Sequence, residues 1–193
     1  RFNAKTQNLF IRDAFIDKNG GPILLAAGNK IYRLEADSIR VLFDRQSNGT
    51  AFRDVISLRK DQWGNIWMND NGKVLFKTGN IITDFSPRLQ IPPNVPAEMC
   101  FSDSSGWWFK TSGYGAIHLK RMPDGSMIKD IILNKESGLV NDNVFSITAD
   151  KNNFLWVSSL GGLCYIDLNK TNSGKYIVHT VHEDEGLDVP NWN

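Results

Sequence analysis

Cysteine is nearly absent. Cys100 and Cys164 are the whole supply in 193 residues. Two thiols cannot form a disulfide scaffold, so the fold must rest on a packed core, and neither residue fixes a redox compartment. Each lies in an apolar run and reads as a buried free thiol. An excess of charge is also lacking: 22 basic against 21 acidic side chains leave a net charge of +1. That balance excludes the electrostatic footprint of a nucleic-acid binder or of a protein held on an anionic membrane. No apolar run approaches the roughly 18 residues that span a bilayer. No basic-then-apolar signal peptide opens the chain, which starts at Arg1 as a processed or truncated chain would.

Reactive constellations are equally scarce. The three histidines are His118, His179 and His182. His179 and His182, three apart in a predicted strand, face opposite sides, and no Cys or Asp stands beside them at ligand spacing. No zinc or other metal site and no cofactor is therefore expected. There is no nucleophile elbow and no phosphate loop, and "GGPILLAAG" lacks the dinucleotide spacing. Glu183, Asp184 and Glu185 form a charge run of the kind that solvates a loop. The triplets Asn48-Gly49-Thr50 and Asn169-Lys170-Thr171 match the glycosylation sequon but are short enough to arise by chance.

What the chain does have is aromatic side chains, six of them Trp, and 16 glycines at regular intervals. The segment "NVFSITADKNNFLWVSSLGGL", 143–163, is one copy of a recurring unit. Asp150 is followed by Trp156 six residues on and Gly161 eleven on. Asp61 is followed by Trp67 and Gly72 at the same offsets, and Asp17 by Ile23 and Gly28. Asp103 leads to Trp108 and Gly113, each one residue early, as a shortened turn requires. The anchors at 17, 61, 103 and 150 are 44, 42 and 47 residues apart. Apolar runs with period-two alternation precede and follow each anchor, and they are too short for helices. The unit reads as strand, Asp turn, Trp strand, Gly turn, strand, turn, strand. Four short antiparallel strands every ~40–50 residues is the pattern of a β-propeller blade.

Each recurring residue has a physical task. In "DKNG", "DQWG", "DSSG" and "DKNN" the leading Asp accepts hydrogen bonds from its own turn, and Gly or Asn in fourth place tolerates positive φ. Gly28, Gly72, Gly113 and Gly161 stand at the next, tight reversal. Trp67, Trp108 and Trp156 supply large rings to fill the wedge between neighbouring blades, each burying on the order of 150–250 Å². Trp107 alternates with Trp108 and is expected to face outward. The expected architecture is all-β: a single propeller fragment over 1–193 with blades at 9–44, 52–86, 97–134 and 143–183. Residues 184–193 lead into a further blade.

The motif "GLVNDNVFSITADKNNFLWVSSLGGLCYID" resembles the two-component regulator propeller repeat. Gly138, Leu139, Asn143, Val144, Ile147, Asp150, Leu155, Trp156, Val157, Gly161, Gly162 and Leu163 fall on its pattern. "FRDVISLRKDQWGNIWMNDNGKVLFK" is a second match, while the first repeat lacks the Trp and the third is shifted. The resemblance implies a seven- or eight-bladed ring of which about four blades are here. It also implies the extracytoplasmic, periplasmic sensor region of a membrane hybrid histidine kinase. Such a sensor responds to an oligosaccharide released from a polysaccharide and controls transcription of the genes that use it. The segment itself would be non-catalytic, without direct membrane contact, with the rest of the sensor chain and the oligosaccharide as its partners.

Loops between blades and at the inner hairpins are where a propeller holds ligands. Planar polar and aromatic groups there suit a sugar, so Arg45, Arg53, Asn69, Asp70, Arg88, Lys110, Tyr114 and Trp192 are the candidate ligand residues. "EGL" at 185–187 repeats the "SGL" at 137–139 and then the chain stops. A partial ring exposes two apolar blade faces, so self-association is expected. Two other readings are a propeller enzyme acting on glycans, as lyase or hydrolase, and a protein-interaction scaffold. The first needs a convergent acid–base cluster on one face.

Overall fold

The computed structural model describes residues 9–16, 22–35, 38–172 and 175–181. Asp17, His182, the Glu183–Glu185 run, Trp192 and the lead-in at 184–193 lie outside the described residues. Among the described residues sixteen strands form four antiparallel sheets, each a four-stranded meander in sequence order. The first sheet is β1 (Asp13–Phe15), β2 (Ile23–Ala27), β3 (Lys30–Leu34) and β4 (Ile39–Phe43). The second is β5 (Val55–Lys60), β6 (Ile66–Asp70), β7 (Lys73–Thr78) and β8 (Ile81–Asp84). The third is β9 (Ala97–Ser102), β10 (Gly106–Thr111), β11 (Ala116–Arg121) and β12 (Met127–Leu133). The fourth is β13 (Val144–Ala149), β14 (Phe154–Ser159), β15 (Gly162–Asn172) and β16 (Lys175–Thr180). These are propeller blades. Among the described residues the helical content is two short 3₁₀ turns, at Ser86–Leu89 and Lys135–Ser137.

The chain divides into two compact units, Arg1–Gln90 with Pro96–Met99, and Ile91–Val95 with Cys100–Asn193. In the first unit Leu24, Ala26 and Ile31 pack with Phe52, Val55, Leu58, Met68, Leu75 and Ile82. Phe52 comes from the segment between blades, which explains why an apolar residue stands in an otherwise polar loop. The blade-to-blade seam is also held by backbone: Val55 N donates to Gly28 O at 2.7 Å and Ala97 N to Gly72 O at 3.1 Å. Asn71 and Gly72, at φ 51° and 88°, form the β6–β7 reversal, where both central residues must be left-handed. In the second unit Trp108, Ala116 and Leu133 pack with Leu139, Val144, Ile147, Leu155, Val157, Cys164 and Ile166. Leu139 plays there the part of Phe52.

Three residues sit differently from what the sequence suggests. Trp107 does not face outward: it is 1% exposed, like Trp108. Both faces of β10 are covered, so alternation along that strand separates two buried faces rather than a buried from a wet one. Gly106, the fourth residue of "DSSG", is not left-handed, unlike Gly64 (φ 85°) and Asn153 (φ 67°). A Cβ there would lie 1.8 Å from Leu119 O, so it is close approach of β11 that requires glycine. Cys164 is a buried free thiol, whereas Cys100 is only half-buried.

Candidate functional site

The recurrent Asp and Trp are one device. In the first unit Asp61 Oδ1 accepts from the backbone N–H groups of Trp63 (3.0 Å) and Asn65 (2.8 Å), which shapes the turn. Its Oδ2 accepts from Trp67 Nε1 at 3.0 Å. In the second unit Asp103 Oδ2 accepts from Trp108 Nε1 at 3.1 Å and Asp150 Oδ2 from Trp156 Nε1 at 3.2 Å. The offset of five or six residues between Asp and Trp reflects that bond: the carboxylate shapes the turn and satisfies the indole of the strand that follows. These groups are scaffold.

The candidate ligand residues are not gathered into one place. Asp70 is 2% exposed, and its Oδ1 accepts from the backbone of Arg53 (2.7 Å) and Asp54 (2.8 Å). Asn69 is buried too, and its Oδ1 accepts from Gly72 N at 2.7 Å. Both brace the loop and hairpin beside them, because a short polar side chain at a strand end finds backbone donors first. Arg45 is engaged with Asp44 at 2.8 Å, and Arg88 lies over the Phe85 ring. Arg53 is exposed. In the second unit Lys110 donates to Phe145 O at 3.1 Å, and Lys129 sits over the Tyr114 ring.

A polar cluster not anticipated from the sequence joins the first strands of three successive sheets. Asp13 on β1 accepts through Oδ2 from Leu58 N (2.9 Å) and Arg59 Nη1 (2.8 Å). Arg59 on β5 also reaches Glu98 on β9, with Nη2 3.7 Å from Oε1. Glu98 Oε2 accepts from Asn69 Nδ2 at 3.4 Å, so the brace Asn69 also orients a carboxylate. Arg12 and Asp54 pair alongside at 3.0 Å. Arg59, Asp13 and Glu98 side chains are 41%, 24% and 14% exposed. A guanidinium between two carboxylates carries a net charge of −1 and is held in place by its neighbours. The partners are 46 residues apart for Asp13 and Arg59, so only the blade period relates them.

The second unit holds a denser cluster. Ser105 Oγ lies 3.2 Å from His118 Nε2, and His118 Nδ1 lies 2.7 Å from Asp130 Oδ1. The order Ser, His, Asp is that of a nucleophilic triad, but the chemistry is not. Ser105 Oγ donates to Asp103 Oδ1 at 2.5 Å. The same oxygen takes the N–H groups of Ser105 and Gly106, the pair an oxyanion would need. Burial pushes His118 down, but the neighbouring carboxylates of Asp103 and Asp130 outweigh that and hold it above its ordinary value. Burial pushes Asp103 up; the His118 ring beside it and the hydrogen bonds from Ser105 outweigh that and hold it well below the usual carboxylate range. Two carboxylates beside the ring favour its protonated form. Among the described residues no group of three or more His, Cys, Asp or Glu is placed to hold a metal ion, and no helix is long and apolar enough to cross a membrane.

No protein-family model and no curated protein matches the chain. Solved structures do. The extracellular domain of a putative one component system from B. thetaiotaomicron is similar at TM-score 0.67 and 14% identity, over 92% of this chain and 26% of that one. The extracellular domain of a putative hybrid two component system from the same organism gives 0.67 and 16%, over 94% and 24%. A gluconolactonase from Xanthomonas campestris gives 0.59 and 16%, over 90% and 62%. At these identities the likeness establishes the propeller fold. The chain spans about a quarter of the length of the first two proteins.

Proposed function

We propose that this chain is a ligand-sensing propeller segment on the extracytoplasmic side of a membrane-bound hybrid two-component sensor. Its ligand is an oligosaccharide derived from a polysaccharide, and its output is transcription of the genes that use that polysaccharide. The observation that carries the reading is the likeness to two extracellular sensor domains along more than nine-tenths of this chain. The Asp13–Arg59–Glu98 cluster supplies a face with the right chemistry: fixed carboxylate acceptors beside a guanidinium donor, matched to vicinal hydroxyls. Signal passes to the rest of the sensor chain, and the segment performs no chemistry of its own.

The likeness to a gluconolactonase is the observation behind an enzymatic reading. Calorimetric titration of the chain against neutral and acidic oligosaccharides, with product analysis on the same samples, separates the two. Saturable binding of a neutral oligosaccharide with no product supports the sensor. Product formation overturns the non-catalytic reading, and absence of binding to every member of a broad panel overturns the ligand class.

A further inference from the structure

The cluster around His118 has no part in that reading, and its placement is unusual for a purely structural group. His118 lies in the middle of β11 with a 3% exposed side chain. The ladder between β11 and β12 shifts register there: His118 pairs with Ile131 and Leu119 with Lys129. Asp130 is thus the extra residue of a β-bulge, left out of the ladder. A strand of strict period two pairs every residue; the bulge releases one and re-aims its side chain. Asp130 uses that freedom to reach His118 Nδ1 at 2.7 Å. On the other side of the ring, Nε2 meets Ser105 Oγ at 3.2 Å and lies 3.8 Å from Asp103 Oδ1, both in the β9–β10 turn.

The proton directions agree with a charged ring. Ser105 Oγ spends its hydrogen on Asp103 Oδ1, so toward His118 it acts as acceptor. His118 Nε2–H then donates to Ser105, and Nδ1–H donates to Asp130. When the ring loses its proton, Nε2 becomes an acceptor. Ser105 must then turn its hydrogen from Asp103 to the imidazole, and the two carboxylates lose the cation between them. We propose that the Asp130 bulge and His118 form a protonation-dependent clasp that fastens outer strand β12 to the β9–β10 turn and loosens as pH rises.

The groups facing this ring from each packed element are few. Asp103 comes from the β9–β10 turn and Asp130 from β12, while the Trp108 ring of β10 covers the imidazole at 4.8 Å. From β16, Tyr176 feels both carboxylates: burial, then Asp130 and Asp103, raise its hydroxyl. The sign follows. His118 is raised on folding, so its contribution is complete below the free value of about 6.5 and is lost as pH climbs through the folded value. Asp103 is depressed, so its contribution is complete above the free value of about 3.9 and is lost only in strong acid. The clasp is therefore tightest between about pH 4 and 6.5.

The test uses the wild-type chain. Imidazole ¹⁵N NMR reads the titration of His118, and hydrogen exchange, corrected for intrinsic rates, reads β12 from pH 5 to 9 with β6 and β7 as reference. The clasp predicts that His118 titrates above the free value. β12 protection then falls across the same interval, tenfold for each pH unit by which the midpoint exceeds the free value, with β6 and β7 unchanged. Asp130→Asn should bring the His118 midpoint down and abolish the pH dependence of β12 alone. A His118 midpoint at or below the free value, or β12 protection that tracks β6 and β7 at all pH values, overturns it.

Discussion

The bond between Asp61 and Trp67 gives the sharpest prediction about what holds a blade together. Replacing Asp61 by Ala removes the acceptor of an indole N–H on a 1% exposed ring, and the acceptor of the Trp63 and Asn65 turn amides. A hydrogen bond to a charged group contributes about 1.5–3 kcal/mol, and each turn amide, which water partly rescues, about 0.5–1 kcal/mol. Asp61→Ala should therefore cost about 3–4 kcal/mol. Trp67→Phe keeps ring packing against Phe76 and Phe85, whose centroids lie 4.5 and 4.9 Å away, but has no N–H. In that background Asp61→Ala loses only the turn bonds. The double-mutant cycle, read from urea midpoints at unchanged slope, should give a coupling of about 1.5–2 kcal/mol. A coupling below about 0.5 kcal/mol, the limit for independent sites, would refute a shared task for the two residues.

Other outcomes follow from the same geometry. Gly106→Ala should abolish folding of its sheet, since the new methyl meets backbone at 1.8 Å, whereas Gly28→Ala meets nothing within 4 Å and should cost about 1–2 kcal/mol for its left-handed φ; soluble yield and melting temperature distinguish them. Asp103→Asn should lower stability at neutral pH and flatten the loss of stability below about pH 4, because the depressed carboxylate contributes only above its folded value. Parallel acid profiles for the variant and the wild type would count against this. Phe10, Ile16 and Val41 are 73%, 65% and 50% exposed in the first unit, so light scattering should show self-association in dilute solution; a monomer would contradict it.

The blade was legible because its signals are local. Asp at the head of a turn, glycine at a reversal and alternating strands act within a dozen residues, and the recurring Asp-to-Trp spacing of five or six carried the indole bond, although turn and wedge suggested separate tasks. What escaped depends on neighbours far along the chain. Trp107 is buried because β10 is covered on both faces, which alternation alone cannot tell. Gly106 answers to Leu119, on the opposite strand. Asn69 and Asp70 were polar residues at a hairpin, but backbone donors claimed them. Asp13, Arg59 and Glu98 meet only once blades are set side by side, and Asp130 turns to His118 only because a bulge breaks the period-two register.

The inner-strand cluster of the first unit is the proposed seat of a hydroxyl-rich ligand. The most direct measurement is titration calorimetry of wild type, Glu98→Gln and Arg59→Ala with the best oligosaccharide from the panel, each variant first checked for unchanged melting. Losing a charged hydrogen-bond partner should weaken binding about tenfold or more in both variants. Affinity unchanged in both folded variants would contradict binding at this cluster and place the ligand elsewhere.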